Sequence, residues 1–282
     1  MELTAKKIIL GLLLVSDAQP LLVRSLIDAC ALFGIKENNV RVTLTRLSAE
    51  GLIAASGRGS YTLSLPVQKL ADQVTTWQTM EQRLGPWHGA YIIVHTGTLG
   101  RSNRKALRQR ERALAMCGMR ELERGLYVRP DNFQGGAAFI RERLHALGME
   151  RDGAVFSAAG FDTERLQAIA RLWDTSALET HYRQDRQRLQ EWLARFEVLE
   201  PEVAAREVYI MGAQAVRSLV FDPWLPAPMI DDNARHAYLE TVKRFDETGK
   251  ALWQRLFQIR IGMPCMTDEQ PPPECRQLPP AY

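Results

Sequence analysis

The chain has 282 residues, enough for two or three domains, and its 46% hydrophobic content allows each a core. With 36 basic and 33 acidic residues the net charge is only +3, which excludes a histone-like polycation. Four scattered cysteines (Cys30, Cys117, Cys265, Cys275) form no C-x-x-C pair, so they indicate neither a zinc site nor a disulfide framework and fit a reduced cytoplasm.

In chain order, Thr4 to Val15 is apolar nearly all round and predicts a buried first helix. Lys6-Lys7, the apolar run Ile8 to Val15 and Ser16-Asp17-Ala18 imitate a secretory signal. The run is short, however, and Leu21, Leu22, Leu26 and Ile27 continue the core pattern beyond it. It is also too short to span a bilayer, so no membrane partner is expected. Pro20 opens a second helix that Gly34 stops near Phe33.

Glu37 to Leu63 carries the strongest functional signal. Val40, Leu44 and Leu47 fall at i, i+4 and i+7, one narrow apolar stripe that Gly51 ends. Asn38, Asn39, Arg41, Val42, Thr45 and Arg46 project elsewhere. Two short strands, Leu52 to Ala55 and Tyr61 to Leu63, flank a glycine-rich tip that holds Arg58 and Ser60. Arg has the fork for guanine, Asn for adenine, and Thr or Val can meet a thymine methyl. Arg58 suits phosphate or the minor groove. This is the plan of a winged helix-turn-helix reader of double-stranded DNA, spanning residues 1–65.

Pro66 ends the ribbon, and Lys69 to Leu84 reads as a helical connector within residues 66–84. Gly85-Pro86 marks a boundary. Beyond it come a strand over Trp87 to His95, an Arg-rich helix from Asn103 to Cys117 and a strand over Gly125 to Arg129. A helix over Ala137 to Leu147 and a strand over Ala154 to Ala158 complete the unit. The alternation predicts a ferredoxin-like α+β domain over residues 85–161, a candidate for dimerisation. Residues 162–262 read as a helical domain, with two long helical patterns separated by the proline-rich stretch Phe221 to Pro228. Residues 263–282, with Pro271-Pro272-Pro273, are expected to be disordered. The fold class expected is therefore α+β multidomain.

Nine basic residues lie between Arg101 and Arg129, opposed only by Glu111, Glu121 and Glu123. Arg101, Arg104, Lys105 and Arg108 have three open roles: a solvated face, a second DNA contact, or a landing place for phosphates. His88, His95, His145, His181 and His236 make no metal-ligand spacing, so no metal is expected. The tryptophans at 173, 192, 224 and 253 read as core, with a minority reading as the wall of an aromatic pocket. No G-x-S-x-G elbow, Walker loop or G-x-G-x-x-G is present, and the first strand of the middle domain ends Val94-His95-Thr96 without an acid. That counts against a metal-dependent nuclease. An acyl-CoA scaffold is the other alternative, and it leaves the DNA-reading helix unexplained.

Several blocks together resemble the PaaX-family transcriptional repressors. They are Asn39 to Leu47 with Glu50-Gly51-Leu52, the Gly57 to Tyr61 tip, Pro86-Trp87-His88-Gly89, Gly118 to Pro130, and Asp222-Pro223-x-Leu225-Pro226. The resemblance implies a homodimer that represses aromatic-acid (phenylacetate-type) catabolic genes and is released by an aryl-acyl-CoA such as phenylacetyl-CoA. It implies no other cofactor and no enzymatic activity. Under it, Arg101, Arg104, Lys105, Arg108 and Trp224 are the candidate effector contacts. The chain departs from the family pattern at Asp231 to His236, where a tryptophan-containing segment is usual; the departure bears on the effector more than on DNA binding.

Overall fold

A computed structural model describes residues 3–16 and 19–261. The proposed tail, 263–282, lies outside the described residues. The described residues are mixed α and β, with two small antiparallel sheets among them.

Helix α1 (Ala5–Val15) is capped by Thr4 and buries Ile8, Ile9, Leu12 and Leu13. It packs with α2 (Val23–Ala31) and α3 (Glu37–Ala49). Pro20 does not open α2 directly. Leu21–Leu22 first form a short strand, β1, because the pair lies beside Ser60 and Tyr61 and completes their sheet. β2 (Ile53–Ala55) and β3 (Ser60–Leu63) make the predicted hairpin, giving the order β1-β3-β2.

Pro66 does more than end the ribbon. It sits in the first turn of α4 (Leu65–Thr75), where its missing N–H costs nothing. The connector helix thus begins four residues earlier than the sequence pattern predicts. It stops at Thr75, and two single turns, Thr76–Gln78 and Met80–Arg83, replace its expected second half.

The middle unit runs β4 (Tyr91–His95), α5 (Arg104–Met116), β5 (Arg120–Glu123), β6 (Leu126–Pro130), α6 (Gly136–Ala146) and β7 (Ala154–Ala158). Its antiparallel sheet has the order β5-β6-β4-β7. β4 occupies a central place and buries Tyr91, Ile92, Ile93 and Val94, which explains its unbroken apolar run. β5 is not predicted, since Arg120-Glu121-Leu122-Glu123 is polar; it is an edge strand, where charge is tolerated.

Four helices follow: α7 (Thr163–Ala170), α8 (Thr175–Arg195), α9 (Pro201–Val220) and α10 (Asp232–Ile261). The sequence pattern separates only two long ones and misses α9, half of whose buried residues are alanines (Ala204, Ala205, Ala215). Those small side chains let α9 lie close to α10, with Gly249 against Val208.

Candidate functional site

On α3 the buried stripe is Val40, Leu44 and Leu47, and this orientation decides what faces outward. Asn38, Val42 and Thr45 lie opposite the stripe at 100° per residue, with Asn39 and Arg46 on one shoulder and Arg41 on the other; all six are exposed. Val42 is 43% exposed, an apolar side chain held in water. Asn38, Asn39 and Arg46 have no side-chain partner among the described residues. Arg41 differs, because its guanidinium pairs with Glu37 at 2.7 Å one turn back. The Thr45 hydroxyl donates to the Arg41 carbonyl (3.1 Å), which commits its proton and leaves lone pairs and a methyl for other contacts.

The hairpin tip depends on Gly57 and Gly59, at φ +87° and +75°, backbone that other residues seldom adopt. Arg58 between them is exposed. Ser60 corrects the sequence reading. It is buried at 9% exposure and its hydroxyl donates to the Ser56 carbonyl, so it closes the tip and does not face outward. The Val23 amide donates to Gly59 (2.9 Å) and ties the hairpin to the start of α2.

The effector candidates are not brought together. Arg101, Arg104, Lys105 and Arg108 are exposed around the start of α5. Arg110, within the same basic run, is buried and pairs with Glu150 at 2.5 Å. Trp224 is buried beyond the other end of α5, roughly 20 Å along the helix, where Pro223 meets Gly118.

Trp224 instead belongs to a polar joint between the middle sheet and the helical bundle. It is held at φ +50°, a costly conformation for a non-glycine residue. Its amide donates to Asp222 (2.7 Å), and its carbonyl accepts from Asn132 (2.8 Å). Asn132 in turn accepts from the fully buried Arg129 (2.9 Å), which also donates to the Cys117 carbonyl (2.5 Å). Tyr182 donates to the other oxygen of Asp222 (2.5 Å). Burial raises the Asp222 carboxyl above its usual range, and these donors oppose the rise. The Asp222-Pro223-x-Leu225-Pro226 block stands out in the sequence, but Asn132 and Tyr182 carry no signal there, because their partners Trp224 and Asp222 are distant in the chain.

A family profile for PaaX-like protein matches residues 4–66, and one for the PaaX-like protein C-terminal domain matches residues 173–255. Together they cover just over half of the chain. The chain belongs to the PaaX-like family. PaaX-like proteins are regulators, and this one is not an enzyme. No curated protein matches it. Among solved structures it is similar to the uncharacterized protein Rv0674 from Mycobacterium tuberculosis, at 24% identity and a TM-score of 0.56. The match covers 90% of this chain and 100% of that one, a likeness of fold.

Two cavities lie where the elements of this PaaX-like chain meet. One, of about 380 Å³, is a partly open cleft lined by α1, α4, Trp77 and the bundle, with Asp246 and Lys250 paired at 3.2 Å on its wall. The other, of about 390 Å³, lies between the Thr76–Arg83 turns and α6. Glu81, His236 and Glu240 bring three potential metal donors within 4.8 Å of one another, a grouping that sequence spacing does not reveal. Its members are satisfied by their own pairs, His236 with Glu81 at 2.9 Å and Lys243 with Glu240 at 2.8 Å. Among the described residues no helix is long and apolar enough to cross a membrane.

Proposed function

We propose that this PaaX-like chain is a DNA-binding transcriptional repressor of an aromatic-acid catabolic operon, of the phenylacetate type. Residues 1–65 act as a winged helix-turn-helix, residues 85–161 as a ferredoxin-like domain that supports a homodimer, and residues 162–262 as the sensing domain. The observation that carries the reading is the outward face of α3. Asn38, Asn39, Val42 and Arg46 stand exposed, as does Arg58 on the hairpin tip, and these are side chains that base edges and phosphate accept. The β5-β6-β4-β7 order supports the middle-domain reading, since β-α-β-β-α-β with the first strand between third and fourth is the ferredoxin-like plan.

In a dimer, two copies of α3 enter successive major grooves about 34 Å apart, so the operator is an imperfect palindrome. An aryl-acyl-CoA releases it by favouring a geometry that misplaces the helices. That requires unequal affinity for the two states, with a coupling of about 1–3 kcal/mol.

Footprinting on DNA upstream of the chain's own operon tests this. Arg46→Ala and Arg58→Ala each weaken protection by about tenfold or more while the melting temperature stays within about 2 °C. Arg41→Ala weakens it too, after release from Glu37. Undiminished footprints from all three variants would sink the assignment.

A further inference from the structure

The cavity between the connector turns and α6 has an unusual charge balance. Arg143 is 9% exposed, donates to the Thr76 hydroxyl at 2.8 Å and lies against the buried Cys117 thiol. No carboxylate of the described residues comes within ion-pair distance of it. Arg83 stands across the cavity with its guanidinium 5.2 Å over the Phe139 ring, and it too lacks an acidic partner among those residues. Burial chiefly, and Arg83 to a smaller extent, holds the Arg143 guanidinium below its usual pKa. Glu142 also lines the cavity, but it is exposed and pairs with neither arginine. Arg110, the buried arginine of α5, is neutralised by a carboxylate, Glu150, at 2.5 Å, and the fully buried Arg129 gives its hydrogen bonds to the Pro130 and Cys117 carbonyls and to Asn132. Arg143 has neither arrangement, only the Thr76 hydroxyl and the Cys117 sulfur among the described residues, and a buried guanidinium so sparsely matched is costly.

We propose that this cavity binds an anionic aromatic ligand. Arg143 and Arg83 clamp its carboxylate or phosphate, and Phe139 and Met80 receive its apolar body. Two guanidinium groups suit such oxyanions because each can donate two parallel hydrogen bonds. The volume of about 390 Å³ lies in the range of small-ligand sites. The location gives binding a consequence. Thr76, Thr79 and Arg83 follow directly on α4, which itself begins one residue after β3 (Leu63, then Ser64). A ligand spanning turns and α6 therefore fixes the direction in which α4 leaves for the N-terminal domain. Its regulatory meaning rests on the repressor reading above; its existence does not.

Calorimetry and melting curves on the full chain without DNA test the site, using phenylacetate, coenzyme A, phenylacetyl-CoA and inorganic phosphate as probes. Phenylacetate or phenylacetyl-CoA is expected to bind and to raise the melting temperature. Binding of phenylacetate identifies a carboxylate as the clamped group. Binding of coenzyme A and its thioester without phenylacetate identifies phosphate. Arg83→Met, at an exposed position, weakens the bound probe by about tenfold or more, and Phe139→Leu weakens aromatic probes more than phosphate. Arg143→Met abolishes binding, and Arg83→Met keeps the test valid should that variant misfold. Binding by no probe, or by phosphate alone, overturns the proposal. So does binding that survives Arg83→Met and is lost in Arg104→Ala/Arg108→Ala, which puts the ligand on α5. Arg83-dependent binding without release of operator DNA leaves the site standing and overturns the repressor's ligand response.

Discussion

Residues of one type and one sequence neighbourhood take opposite roles here, and the basic run on α5 illustrates it. Arg104 and Arg108 are solvated, whereas Arg110 is buried with both Glu150 oxygens and the Gly100 carbonyl around it. Sequence spacing cannot separate them, because Glu150 is 40 residues away and only the fold makes it a neighbour. The pair gives a pH prediction. Arg110 holds the Glu150 carboxyl below its usual range, so the folded state prefers the charged form more than the unfolded chain does. Such a contribution is complete above the unfolded carboxylate value and is lost as pH falls through the folded one. Glu150→Gln should cost about 2 kcal/mol at pH 7, discounted for the partial exposure of Glu150. The difference from wild type should narrow as pH drops below about 4. Urea melts at both ends of that window measure it, and a gap that stays constant would refute the account.

At the scale of elements, what the sequence discloses depends on whether one face alone decides the pattern. α3 is legible because three apolar residues meet one core and everything else meets water. The β4 run is legible because both its sides are buried. α9 is not, since alanines at a close helix contact give little contrast, and β5 is not, since an edge strand needs no apolar residues. The turn after α5 shows a third case, where the meaning of a residue is set by a distant segment. Gly118 has φ +68°, and a Cβ there would stand 2.7 Å from the Cα and carbonyl oxygen of Pro223. Neither backbone can yield easily, because Trp224 beside Pro223 is fixed by Asn132 and Asp222. Gly118→Ala should therefore destabilise by at least about 2 kcal/mol, combining the left-handed backbone with the overlap. Thermal denaturation checks this, and a loss under about 0.5 kcal/mol, typical of an open surface turn, would contradict the close approach.

For the whole molecule the question is how the helical bundle communicates with the α1–α3 unit, and the contact surface centres on Tyr209 of α9. Its ring meets Phe33 edge-on at 5.3 Å and Trp253 at 6.3 Å, and its hydroxyl donates to the Lys7 carbonyl at 3.0 Å. One side chain thus touches the first helix, the end of the second and the last helix of the bundle. Nothing in the sequence marks it, since Tyr209 fits a helical stripe and its partners are distant in the chain, Lys7 and Phe33 far before it and Trp253 well after. Removing the ring should loosen the unit from the bundle while leaving each with its own core of buried leucines and isoleucines or aromatics. Tyr209→Ala should cost about 2–3 kcal/mol, less than a fully buried aromatic because Tyr209 is only half-buried. Hydrogen exchange gives the sharper reading. Amides of α1 should exchange faster in the variant, while those of α8 and α10 around Tyr182, Trp192 and Phe245 keep their protection, because those residues pack within the bundle. Uniform acceleration across all three helices would mean that the bundle and the α1–α3 unit unfold as one cooperative body, and that Tyr209 is an ordinary member of a shared core.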